Sequence, residues 1–285
     1  MRRRKWVFWL AAPFLLGLAI FFVIHFLLRP QPFERTEIFE GVYLTVEDYP
    51  WDWPVKGRVM IAEIHWATPG LEIKHRDFSY PFLPGHPKAE HFSTLPADWA
   101  LERESASILV NTTLFGPNSL STWIPGSGVR SNETIVIDGL ASHIHAHSYL
   151  LYWDSDDNAH MLRQKPPPPE IIETARLGIG LQGVQVNEGR PGYAALSDKD
   201  NMDDRTFIGV DPMQKILFLM AFEKSTGRFM IDRAIEEGVI FGGQLDGGSS
   251  TNLLVGPGAR GIRSHTGIRN LRPIGPYLVV RAGKI

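Results

Sequence analysis

The 285-residue chain contains no cysteine. Disulfides are therefore excluded, and any domain outside the cytoplasm is held by its core alone. A lipidated N-terminal cysteine is excluded on the same ground. The chain also lacks a strong charge of either sign: 29 Lys and Arg stand against 31 Asp and Glu, for a net charge of −2. No basic stretch follows residue 5, so nucleic acid is not an expected partner. No internal repeat is found, and no small-residue cleavage site follows the first apolar run, where Leu28 leads into Arg-Pro-Gln-Pro.

That apolar run is the longest feature present. Arg2, Arg3, Arg4 and Lys5 precede it, and from Trp6 to Leu28 it holds no acid and no Lys or Arg. As a helix it is roughly 34 Å long, enough to cross a bilayer. Trp6 and Trp9 suit an interfacial belt, and the basic cluster keeps the N-terminus cytoplasmic. The expected organisation is a basic tail over 1–5, a transmembrane signal anchor over 6–28, a linker over 29–38 and one exported domain over 39–285. The lipid bilayer is then a partner through residues 6–28. An exported domain without cysteine suits a bacterial envelope.

Within the domain, short alternating runs predict strands over Gly41–Glu47, Arg58–Trp66, Leu71–His75, Ser107–Asn111, Thr134–Asp138, Ile144–Trp153, Phe207–Val210, Ile216–Ala221, Ile240–Leu245 and Tyr277–Arg281. Helical spacing marks Arg228–Glu237, closed by Gly238, and a short helix from Pro96 to Arg103. The proline run from Lys165 to Pro169 reads as an extended spacer or a lobe boundary. Many strands with few helices predict an α+β fold of mixed sheets with flanking helices.

The stretch Gly242–Gly256 (GGQLDGGSSTNLLVG) is unusual. One carboxylate, Asp246, ends an apolar strand and is followed by Gly247, Gly248, Ser249, Ser250 and Thr251. A tight turn, exposed amides and hydroxyl donors around one acid suit a sugar or a phosphate. A strand-ending turn without ligand has the same composition. Three further strand ends carry polar groups: Asn111-Thr112-Thr113, Arg205-Thr206, and Arg272-Pro273. Arginine offers a planar fork of donors to phosphate or carboxylate. Four such ends look like one site built from distant segments.

These residues resemble the phosphodiester glycosidase family. That family shows, in order, Asn-Gly-Gly-Phe-Phe after an apolar strand, Arg-Thr-x-x-Gly, Leu-Asp-Gly-Gly-Gly-Ser, and a late Arg-Pro. The counterparts are Asn111 to Phe115, Arg205 to Gly209, Leu245 to Ser250 and Arg272-Pro273. The resemblance spans about Phe39 to Val280. It departs at Thr112 and Thr113, which replace two glycines, and at Ser249, which replaces a third. It implies hydrolysis of a sugar phosphodiester with a glycan or sugar-phosphate substrate and no cofactor or metal. Asp246 would be the carboxylate near the anomeric carbon, with Arg205 and Arg272 stabilising the departing phosphate. Asn111, Thr112, Thr206, Gly247, Gly248, Ser249 and Ser250 would bind hydroxyls or phosphate oxygens. Glu63, which interrupts an apolar strand, is a candidate second carboxylate or an outward-facing strand residue.

Two other classes fit parts of the sequence. The lost glycines suit a non-catalytic carbohydrate-binding protein of the same fold. His143, His145 and His147 alternate, and on a strand they would share a face. That pattern suits a metal-dependent hydrolase, but three ligands in a line are poorly placed for tetrahedral coordination, which favours a solvated or substrate-facing polar strand face.

Overall fold

A computed structural model describes residues 32–49, 57–76, 91–116, 125, 128–142, 144–146, 149–181, 183–193, 200–270 and 272–285. The expected anchor over 6–28 lies outside them. Among the described residues no helix is long and apolar enough to cross a membrane.

Eight strands form the main sheet, in the order Phe33–Phe39, Val42–Tyr49, Gly57–His65, Ile216–Ser225, Asp203–Asp211, Phe241–Gln244, Val186–Asn187 and Arg190–Pro191. All its pairings are antiparallel. The strand Gly57–His65 reads as a nearly continuous apolar run because both its faces are covered. Met60, Ala62 and Ile64 enter one core, and Val59 and Ile61 enter another. A strand buried on both faces loses the usual alternation.

The first core lies between the main sheet and two five-stranded sheets. One of these runs Gly267–Ile268, Leu253–Val255, Ile108–Asn111, Tyr277–Arg281, Glu72–His75. The other runs Leu140–Ala141, Ile135–Ile137, Leu177–Leu181, Tyr149–Trp153, Ala159–Leu162. Ile208, Val210 and Leu219 of the main sheet meet Val110, Leu278, Leu151 and Ile179 there. A small three-stranded sheet joins His91–Ser93, Gly128–Ser131 and Phe115–Gly116.

Among the described residues, three helices cover outer faces. Helix α1 (Ala97–Arg103) packs Ala97, Ala100 and Leu101 against Leu109 and Val279. Helix α2 (Pro169–Thr174) sets Ile172 against Val136 and Leu150. Helix α3 (Gly227–Glu236) closes the second core with Met230, Ile231 and Ala234. Its N-cap Thr226 accepts a 3.2 Å hydrogen bond from the Phe229 N–H, and Gly238 ends it at φ +92°. Sheets with a few flanking helices make the fold α+β, as expected.

Three local expectations change. The linker expected over 29–38 is an edge strand from Phe33, with Ile38 and Phe39 buried while Glu34, Arg35 and Thr36 face water. Charge on the outward face of an edge strand hides its apolar side from a pattern search and blocks edge-to-edge association. The strand expected over Ile144–Trp153 begins only at Tyr149. His145 lies before it in irregular backbone, its N–H donating to Thr134 Oγ1 at 2.9 Å. His143 and His147 lie outside the described residues. The end of the proline run starts helix α2, with Pro169 in its first turn, where a missing N–H costs nothing.

Candidate functional site

The antiparallel sheets bring three of the four polar strand ends into direct contact. Asn111 ends Ile108–Asn111, Thr206 lies near the start of Asp203–Asp211, and Asp246 follows Phe241–Gln244. Asn111 is fully buried and ties them together. Its Oδ1 accepts from Thr206 Oγ1 at 2.9 Å and from the Asn252 N–H at 2.8 Å. Its Nδ2 donates to the Asp246 carbonyl at 2.6 Å. The Asp246 N–H donates to the Thr112 carbonyl at 2.7 Å, and the Leu245 N–H to the Thr206 carbonyl at 2.8 Å. The side-chain amide of Asn111 and the hydroxyl of Thr206 are thus spent on the protein itself. Both were expected to meet ligand; both brace the site.

Arg205 also differs from expectation. It is 1% exposed, and its guanidinium donates to Gln244 Oε1 at 2.8 Å, the Asn201 carbonyl at 2.7 Å and the Ser225 carbonyl at 3.1 Å. It clamps the strand beneath the Asp246 turn. Gly247 packs on that strand so closely that an added Cβ would stand 2.8 Å from the Asp204 carbonyl oxygen. Gly248 has φ +56°, a conformation that favours glycine. Both glycines therefore shape the turn.

Asp246 is 6% exposed. Burial pushes its carboxyl up from an ordinary 3.8 to about 6, against the pull of a Ser250 hydrogen bond, the Arg272 charge and the Gly247 N–H. Arg272 is the cation that faces it. Its Nη1 reaches Ser250 Oγ at 3.4 Å, and its guanidinium lies 4.7 Å from the Phe115 ring centroid. That is cation–π range, which holds the planar group in place.

The hydroxyls around this pair divide by role. Ser249 is exposed. Thr112 Oγ1 and Thr251 Oγ1 are buried and lack hydrogen-bond partners. Such groups are rare in native structures and call for a water or a ligand. Thr113 Oγ1 instead bonds Ser131 Oγ at 2.5 Å. The two threonines that replace the family glycines therefore differ: one hydroxyl is left over beside the Asp246 turn, and the other is spent on a neighbouring strand.

Glu63 is not part of this arrangement. It lies on the main-sheet face that carries α3, held by Arg35 at 2.6 and 2.8 Å and by His65 at 2.6 Å. The register runs from Glu63 through Phe218 and Gly209 to Gly242, three strands across from the Asp246 strand. With the offset along the strands, that is roughly 19 Å from Asp246. An acid inside an apolar strand proved to be half of an ion pair with Arg35 of the edge strand.

Other residues at the site were not singled out in the sequence. Asn252 Nδ2 donates to the Ser250 carbonyl, and its Oδ1 accepts from Asn270 N–H, whose own side chain bonds the Gly248 carbonyl. Asp203 sits at the rim, with its Oδ2 3.5 Å from where a Cβ on Gly248 would stand. All three lie two residues from motif positions, which was the available signal. Among the described residues no group of three or more His, Asp or Glu could hold a metal ion. His145 stands 3.7 Å from Glu133 instead.

The family model for phosphodiester glycosidases matches residues 105–281, more than half of the chain. A search of curated protein sequences finds no match. Among solved structures, the catalytic domain of zebrafish N-acetylglucosamine-1-phosphodiester alpha-N-acetylglucosaminidase, auto-inhibited by its pro-peptide, is similar at 13% identity and a TM-score of 0.59, covering 87% of each chain. A hypothetical protein from Synechocystis is similar at 13% identity and a TM-score of 0.52, covering 89% of this chain and 64% of that one. At such identities these likenesses concern the fold.

Proposed function

Since the chain belongs to the phosphodiester glycosidase family, we propose that it is a membrane-anchored, extracytoplasmic hydrolase that cleaves a sugar phosphodiester in an envelope glycan or lipid-linked polymer. One observation carries this reading: a buried carboxylate, Asp246, lies beside a cation, Arg272, and two buried hydroxyls without partners, on Thr112 and Thr251. In the reaction the bond between the anomeric carbon and the phosphate oxygen breaks, water adds to the carbon, and a phosphomonoester leaves. The transition state is positive at the sugar, and ionised Asp246 opposes that charge. Arg272 opposes the negative charge that grows on the phosphate. Phosphate is a good leaving group, so protonation by a strong acid is not required. Asp203 at the rim is the nearby carboxylate for guiding the water.

A second reading, a glycan-binding protein without turnover, is favoured by Thr112, which adds a side chain where the family has bare backbone. One experiment separates the two. The full-length chain in detergent micelles is incubated with a panel of sugar-1-phosphodiesters, beside Asp246→Asn. Sugar release by wild type with a loss of about a thousandfold in the variant is expected. Saturable binding without release in wild type would replace the hydrolase with the binding protein.

A further inference from the structure

At the far edge of the main sheet, the strands Val186–Asn187 and Arg190–Pro191 form a two-residue hairpin. Glu188 and Gly189 have φ +52° and +69°, the paired positive angles of a tight turn that matches strand twist. The Gly189 N–H is anchored to the Ile240 carbonyl at 3.0 Å. This hairpin is therefore a fixed platform. Opposite it stands Tyr149, and between them lies a groove of about 340 Å³ that Arg163, Val184, Asn187, Glu188 and Arg190 also line.

The chemistry of the groove is consistent from several sides. Arg163 pairs with Glu188 at 2.8 Å, but both are more than half exposed, so the pair is weak in water and open to exchange. Arg190 is exposed and forms no ion pair among the described residues. Lys165 Nζ sits 3.5 Å over the Tyr149 ring at the same edge. Three cations thus face one carboxylate. Asn187 Oδ1 is a buried acceptor with no donor. Cations suit an anionic group, and an orphaned acceptor suits a hydroxyl. An anionic carbohydrate offers both. Asn187 is opposite Phe241 in the sheet register, five residues before Asp246. Along the strand that is roughly 17 Å, a span an extended polymer covers in a few sugar units.

We propose that this groove is a distal subsite for an anionic polysaccharide, one bearing phosphate along its length, whose scissile unit reaches Asp246. The proposal rests on the glycosidase reading for the second half of that sentence and on the groove alone for the first. The test is calorimetry on the full-length chain in micelles with three probes: a sugar methyl phosphodiester, an oligosaccharide of phosphodiester-linked units, and a neutral oligosaccharide of equal length. Arg163→Ala/Arg190→Ala and Arg190→Glu are compared with wild type. Both positions are exposed, so the fold is expected to stand, and unchanged turnover of the monomer checks it.

Wild type is expected to bind the anionic oligosaccharide about tenfold or more tightly than the monomer, and both variants to lose that advantage. The advantage is also expected to shrink as salt is raised. Variants that bind the anionic oligosaccharide as wild type does would overturn the proposal, as would equal affinity for the neutral oligosaccharide, or no gain over the monomer. Calorimetry is run with Asp246→Asn added to each protein, so binding is read without turnover. A chain that hydrolyses nothing but loses oligosaccharide affinity in the variants keeps the subsite and loses the hydrolase.

Discussion

Burial lifts Asp246 to about 6, so its charge changes within an ordinary assay range. If the ionised form opposes positive charge at the sugar, turnover rises with pH through about 6 and then levels. A profile that falls through the same range would assign Asp246 to proton donation instead. Arg272 lowers the carboxyl's affinity for its proton, so Arg272→Gln is expected to move the rise to higher pH. It should also slow turnover on the order of a hundredfold by removing charge opposite the phosphate. The pH dependence of kcat for the two proteins checks both points. Asp246 and Arg272 were legible in the sequence because their motifs carry little else that is ionisable. Arg205 and Asn111 were legible as important but not as braces. A guanidinium or an amide looks the same in sequence whether its partners are ligand oxygens or the chain's own carbonyls.

At the scale of elements, the site depends on one side chain that joins three segments. Asn111→Ala removes partners from the Thr206 hydroxyl, the Asn252 N–H and the Asp246 carbonyl, all on buried residues. At about 1 kcal/mol for each stranded group, the loss is about 3 kcal/mol or more. Urea unfolding of the variant should show that drop, whereas a drop under 1 kcal/mol would mean that water replaces the amide. Strand elements were legible where one face is buried, as at Val42–Tyr49, because alternation survives there. The edge strand Phe33–Phe39 was not, since its charged face and its place beside the apolar run gave it the look of a tether. Strand order was not legible either. Gly57–His65 pairs with Ile216–Ser225, and the segment between them builds one five-stranded sheet whole and supplies two strands of the other. Nothing local marks a pairing across such a gap.

For the whole molecule, two buried groups titrate with opposite consequences. Asp246 holds its proton more tightly folded, at about 6, than unfolded, near 3.8. Its ionisation therefore costs the fold about 3 kcal/mol, a cost absent below 3.8 and complete above 6. His75 is fully buried, with Nε2 lacking a partner and Nδ1 3.2 Å from the Tyr277 carbonyl, and burial lowers it from 6.5 to about 4. The fold resists protonating it, so stability present above 6.5 falls by about 3 kcal/mol as pH drops to 4. Between 6.5 and 4 the two effects nearly cancel. Asp246→Asn removes only the first. The variant is expected to be up to about 3 kcal/mol more stable than wild type at pH 8, and the advantage should vanish by pH 4. Denaturant midpoints at several pH values measure that difference, and charges common to both proteins cancel in it. A difference that is flat with pH would mean that Asp246 titrates in the folded protein as it does in the unfolded chain, and that burial does not raise it. A carboxylate that weakens its own fold when charged is retained for what the charge does, and inactivity together with added stability in one substitution is the signature of such a group.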